Sequence, residues 1–223
     1  MKRIKIMGLA LVAILAMSAL VAGTASAAES KNLVLKDPAG LIKAPATITA
    51  TSTNLVTVTS AGNLECEHAE LPVVIGNNSS TKIKGTSTED FNYGNYLGIE
   101  GACKTSAAGP AIITTSAFPW SAEFKNKAGT GAETEKGTKK VTFTSTFLAL
   151  APPNKCTFEA SKISSTFPIG KEGSPIPLEF TTTNQTFKLN KKIAGTAPIC
   201  PTTGLLSGNW AVSDANGVVT VEL

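Results

Sequence analysis

Cys66 and Cys156 lie 90 residues apart, and so do Trp120 and Trp210. Each Cys–Trp interval holds one further cysteine, Cys103 in the first and Cys200 in the second. Anchors at one shared offset constrain the chain to repeat a unit, and the expected copies span approximately residues 46–140 and 141–223. The neighbours agree: Leu64-Glu65-Cys66-Glu67-His68 aligns with Asn154-Lys155-Cys156-Thr157-Phe158. Cys103 and Cys200 differ by 97, so matching them needs an indel.

The N-terminus sets the compartment in which those cysteines are read. Lys2, Arg3 and Lys5 precede an apolar stretch at residues 6–21, and Ala25-Ser26-Ala27 follows as a small-residue cleavage site. This is the layout of a secretory signal over residues 1–27, with a mature chain of residues 28–223 and no membrane span left after cleavage. Export puts four cysteines in an oxidising environment, where they are expected as bridges. Duplication favours Cys66–Cys103 and Cys156–Cys200 over the two other pairings, since each copy then closes on itself. A zinc site is excluded by the single histidine and the lack of a close cysteine pair. No cofactor is expected.

Losing the signal removes three of the net four positive charges and Arg3, the only arginine. Bidentate reading of phosphate or guanine leans on arginine, so a nucleic-acid partner is not expected.

Period-two alternation recurs along the mature chain, whereas no segment holds a helical period. Thr47, Thr49 and Thr51 alternate with small or apolar neighbours, as do Thr142, Thr144 and Thr146 with Val141, Phe143, Ser145 and Phe147. β-branched residues at alternate positions suit strands with one wet and one buried face. The expected fold is therefore all-β: a single sandwich or barrel of roughly ten antiparallel strands, built from two related halves with one disulfide each. Both tryptophans are expected to open strands. Residues 125–137 read as a long charged hairpin tip, and Asp214-Ala215-Asn216-Gly217 as a compact turn.

Candidate chemistry is sparse. His68 is the sole histidine, but its aligned counterpart is Phe158, which favours a structural role beside the disulfide. Glu65, Glu67 and Glu70 cluster near Cys66, and Glu89-Asp90 follows further on, without a spacing that singles out a catalytic pair. Residues 91–98 have no match in the second half and hold Phe91, Tyr93 and Tyr96 with flanking amides and glycines. Aromatic faces with amide groups suit a sugar or peptide, so these three are the candidate ligand-binding residues. Asn77, Asn78 and Asn184 each begin a glycosylation tripeptide.

The expectation is a secreted or cell-surface, non-catalytic domain with a structural or binding role. Its partners would be a cell-wall glycan, held through residues 91–98, or another surface protein. The rival is a secreted hydrolase working through carboxylates.

Overall fold

The computed structural model describes residues 31–88, 92–106, 109–127, 130–137, 140–149, 153–193 and 200–223. The signal segment and Phe91 lie outside these. Among the described residues there are 22 strands and no helix. The all-β expectation holds, but roughly ten strands was too few: thirteen strands have five residues or more.

Their pairings form two closed circuits that share one long hairpin. The first circuit runs through Ala46–Ser52, Ala69–Ile75, Lys82–Ser87, Trp120–Lys127, Thr130–Gly137 and Ile163–Pro168. It closes through the N-terminal part of Glu179–Ile193 and the C-terminal part of Thr203–Asp214. The second circuit runs through Leu55–Thr59, Gly62–Cys66, Ala102–Thr105, Ala111–Ser116, Val141–Phe147 and Asn154–Ala160. The remaining parts of the long hairpin close it. Closure leaves few open strand edges, the hazard of any sheet-rich chain.

The shared hairpin corrects one expectation. Trp120 does open its strand, but Trp210 sits inside a strand of 12 residues. Its partner strand has 15 residues and absorbs a register shift between Thr182 and Gln185, where Asn184 takes a φ of 47°. In the first circuit Pro119, which offers no backbone N–H, separates Ala111–Ser116 from Trp120–Lys127. The second half crosses the same span as one strand.

The expected charged tip at residues 125–137 is largely strand instead, with Trp120–Lys127 pairing along Thr130–Gly137. Within this strand pair Gly131 serves packing. A Cβ on it would stand 2.1 Å from the Phe167 ring, so only glycine lets that ring close the barrel wall.

Pairing for pairing, the strands fall into two parallel sets. Ala46–Ser52 on Ala69–Ile75 is matched by Thr130–Gly137 on Ile163–Pro168. Leu55–Thr59 on Gly62–Cys66 is matched by Val141–Phe147 on Asn154–Ala160. Trp120–Lys127 pairs with Thr130–Gly137, and Thr203–Asp214 pairs with Ala46–Ser52. Each set thus hands its last strand to the first strand of the other.

Inward positions are mostly apolar. Phe143 lies 5.3 Å from Phe158 and 4.6 Å from Phe187, centroid to centroid, each ring worth about 1.5–3 kcal/mol on full burial. Outward positions are threonine, serine, lysine and glutamate, with Thr144 and Thr157 hydrogen-bonded across strands at 2.9 Å. A barrel facing lipid shows the reverse pattern. A small sheet of Ile176–Pro177, Thr220–Glu222, Val34–Asp37 and Gly40–Leu41 adds Leu33, Leu35, Leu178, Val219 and Val221 to the core.

Candidate functional site

Both expected disulfides are present, Cys66–Cys103 and Cys156–Cys200, with sequence separations of 37 and 44. Oxidation removes the thiols as nucleophiles. In each half the first cysteine sits on a strand of the second circuit, facing inward.

His68 follows Cys66 on the link to Ala69–Ile75. Its Nε2 lies 3.0 Å from Glu70 Oε1, with both side chains about two-fifths exposed. The structure brings this histidine and carboxylate together at the surface. Glu65 and Glu67 are exposed, and Glu65 is paired in register with Lys104. Glu89 and Asp90 lie outside the described residues.

Around the expected ligand-binding aromatics the geometry is specific. Asn92–Tyr93 pairs with Ala69–Glu70, and the Gly94 amide donates to the His68 carbonyl at 2.8 Å. A Cβ on Gly94 would approach the His68 nitrogen to 3.3 Å, so the segment lies close on that link. This pairing turns Tyr93 inward, and it is only 8% exposed. Tyr96 is half-buried. Tyr93 and Tyr96 therefore do not form an exposed coplanar platform, and Phe91 is outside the described residues. What the segment does expose is Leu97, 72% accessible at the tip of the hairpin formed by Asn95–Tyr96 and Ile99–Glu100. Leu97 and Gly98 both have positive φ, 56° and 76°. A branched side chain in that region is uncommon and strained.

Two polar features were not legible beforehand. Inside the first circuit, Glu133 is 2% exposed and faces Phe124 and Ser165 across its neighbouring strands. Ser165 Oγ lies 2.7 Å from Thr182 Oγ1, which also accepts a hydrogen bond from Trp210 Nε1 at 3.2 Å. A polar row thus crosses an otherwise apolar lumen. The gap beside it is about 20 Å³, room for a single water and no larger ligand. Strand alternation would have placed Glu133 inward had residues 125–137 not read as a charged hairpin tip.

On the outside, an open cleft of about 450 Å³ is lined by Lys140, Glu159, Ser161, Thr186, Lys188 and Asn190. Glu159 accepts from Lys140 Nζ and from Asn190 Nδ2. The volume is that of a small-ligand site. Its matching place in the first half, the link through His68, is covered by residues 92–96. In the second half the long strand Glu179–Ile193 runs straight past and leaves the link open.

Elsewhere Glu123 lies between Lys82 and Lys125. Partial burial raises its carboxyl, but hydrogen bonds from Lys125 and Lys82 outweigh this and hold it below the usual range. No family profile, curated protein or solved structure matches this chain.

Proposed function

We propose that the chain is an exported, non-catalytic β domain with a structural or binding role at the cell surface, formed by duplication of a single strand unit. The paired strand sets support the duplication. Thr130–Gly137 takes in the second set the place of Ala46–Ser52 in the first, which favours a second unit that begins near residue 130, ahead of the expected 141. Two bridges at equivalent places, together with the secretory signal expected over residues 1–27, fit an oxidising extracellular setting.

One observation carries the functional reading. The residues with the most chemical potential are spent on the scaffold: all four cysteines are bridged, Tyr93 is packed in the core, and the lumen around Glu133 is filled. A hydrolase needs a cleft wide enough to place substrate between carboxylates; the open cleft instead ties up Glu159 with Lys140 and Asn190.

The test is a turnover screen of the purified protein on chromogenic glycosides, esters and peptides, alongside Glu70→Gln and Glu159→Gln. No turnover above the heat-denatured control is expected. Turnover that either variant abolishes would overturn the reading in favour of the hydrolase.

A further inference from the structure

The two disulfide regions are matched in topology and opposite in charge. Gly62–Cys66 and Ala102–Thr105 carry the first bridge, and around it Glu65, Glu67 and Glu100 are exposed and Glu70 half-buried, against Lys104. Asn154–Ala160 and the adjoining part of Glu179–Ile193 lie at the second, where Lys140, Lys155, Lys162 and Lys188 are exposed against Glu159. The contrast begins at the residue before each first cysteine, Glu65 in one half and Lys155 in the other.

Their placement makes this an axis. The second circuit has eight members: part of Thr203–Asp214, then Leu55–Thr59, Gly62–Cys66, Ala102–Thr105, Ala111–Ser116, Val141–Phe147, Asn154–Ala160 and part of Glu179–Ile193. Counted either way round, the acidic pair of strands stands four places from the basic pair. The two faces therefore point in opposite directions from one ring.

Each face also carries half of a steric match. The acidic side holds the hairpin tip with Leu97, attached through Asn95 to Ala102. The basic side holds the open cleft, whose lining includes Ala160 and Leu189 as well as Lys140 and Lys188. A single exposed apolar residue held in a strained conformation, on an acidic rim, suits a cleft that offers two apolar side chains beside lysines. Anchors of this kind, seated in a pocket and ringed by charge, concentrate binding energy.

We propose that the protein associates head to tail, the acidic Cys66–Cys103 face of one copy against the basic Cys156–Cys200 face of a second, with Leu97 seated in the cleft beside Lys188. Because the faces point in opposite directions, the contact is heterologous and leaves a free face at each end, so it propagates into chains. This deepens the structural reading of the proposed function and depends on it. The two fail separately, one by turnover and the other by a change in molecular mass.

The experiment is sedimentation velocity of the purified protein across a concentration series, at about 20 mM and about 500 mM NaCl, which shorten the screening length several-fold between them. Concentration-dependent dimers, trimers and longer species are expected at low salt, with apparent affinity falling ten-fold or more at high salt. Lys155→Ala/Lys188→Ala and Glu65→Gln/Glu67→Gln should each be monomeric alone. Mixed, they should form a one-to-one dimer that grows no further, since each keeps one working face. Leu97→Gly should weaken association at least ten-fold while raising the melting temperature, because glycine relieves the positive φ. A monomer at every concentration up to about 100 μM in low salt, or association unchanged by the lysine pair, overturns the proposal. So does lysine-dependent retention on a sulfated polysaccharide resin without self-association, which assigns the basic face to an anionic polymer.

Discussion

Asn78 holds Leu35 by both of its backbone polar groups. Its Oδ1 accepts the Leu35 amide at 2.9 Å, and its Nδ2 donates to the Leu35 carbonyl at 2.7 Å. The same Nδ2 donates to the Ile42 carbonyl at 2.9 Å. One side chain thus acts as a strand partner for Val34–Asp37, whose Leu35 is buried in the core. Asn78→Asp replaces two donors with an acceptor facing two carbonyls, and is expected to cost about 2–4 kcal/mol. Chemical denaturation, with Ser79→Ala as the control that leaves these bonds intact, measures it.

The same bonds decide which glycosylation tripeptide is usable. Asn78 Nδ2 is committed, and Asn77 is similarly held, donating to the Lys82 carbonyl at 3.1 Å and accepting the Lys84 amide at 2.7 Å. Asn184 stands exposed on the bulge of the long strand. Expressed through a glycosylating secretory host, the folded protein should carry glycan at Asn184 alone. Peptide mass mapping showing glycan at Asn77 or Asn78 in folded material would contradict this geometry.

How far the sequence reached follows from which interactions are local. The disulfide pairing was legible because duplication demanded that each copy close on itself. Strands such as Val141–Phe147 were legible because their own alternation reports burial. The inward turn of Tyr93 was not, since it depends on pairing with Ala69, outside its own segment. The length of Glu179–Ile193 was hidden by the polar bulge at Asn184 and Gln185, which interrupts alternation without ending the strand. Reading residues 125–137 as a charged tip hid Gly131, whose value is absence of bulk and not freedom of φ.

Gly131→Ala is accordingly expected to destabilise strongly, by about 2–3 kcal/mol or more, because the added carbon must displace the buried Phe167 ring. Phe167→Leu in the same chain should recover part of that loss, as the ring atoms in the way are gone. Urea denaturation of the two single variants and the double variant gives the coupling; purely additive losses would place the strain elsewhere.

Acid should loosen the Lys82–Glu123–Lys125 group. The Glu123 carboxyl is held below its unfolded value, so its contribution is present above about pH 4.5 and lost as pH falls through the folded value. The side chains are partly exposed, so solvent screening keeps each pair weak. Glu123→Gln should lower the melting temperature at pH 7 slightly, the difference narrowing as pH falls and shrinking in high salt.

The polar row in the lumen supplies a spectroscopic test. Thr182 Oγ1 serves both Ser165 and the Trp210 indole, from a position 1% exposed. Thr182→Val keeps the shape and the strand propensity but removes that shared oxygen. The loss expected is about 1–3 kcal/mol, since a buried hydroxyl and an indole N–H both give up a partner. Trp120 donates separately, to the Ser116 carbonyl at 3.1 Å, so its emission should not move. In a Trp120→Phe background, which isolates Trp210, the Thr182→Val emission should shift to the blue as the indole loses its hydrogen bond to oxygen. An unchanged spectrum with unchanged stability would mean that Trp210 is held by packing on Phe180, 5.9 Å away, and that the hydroxyl contributes nothing to closing the barrel.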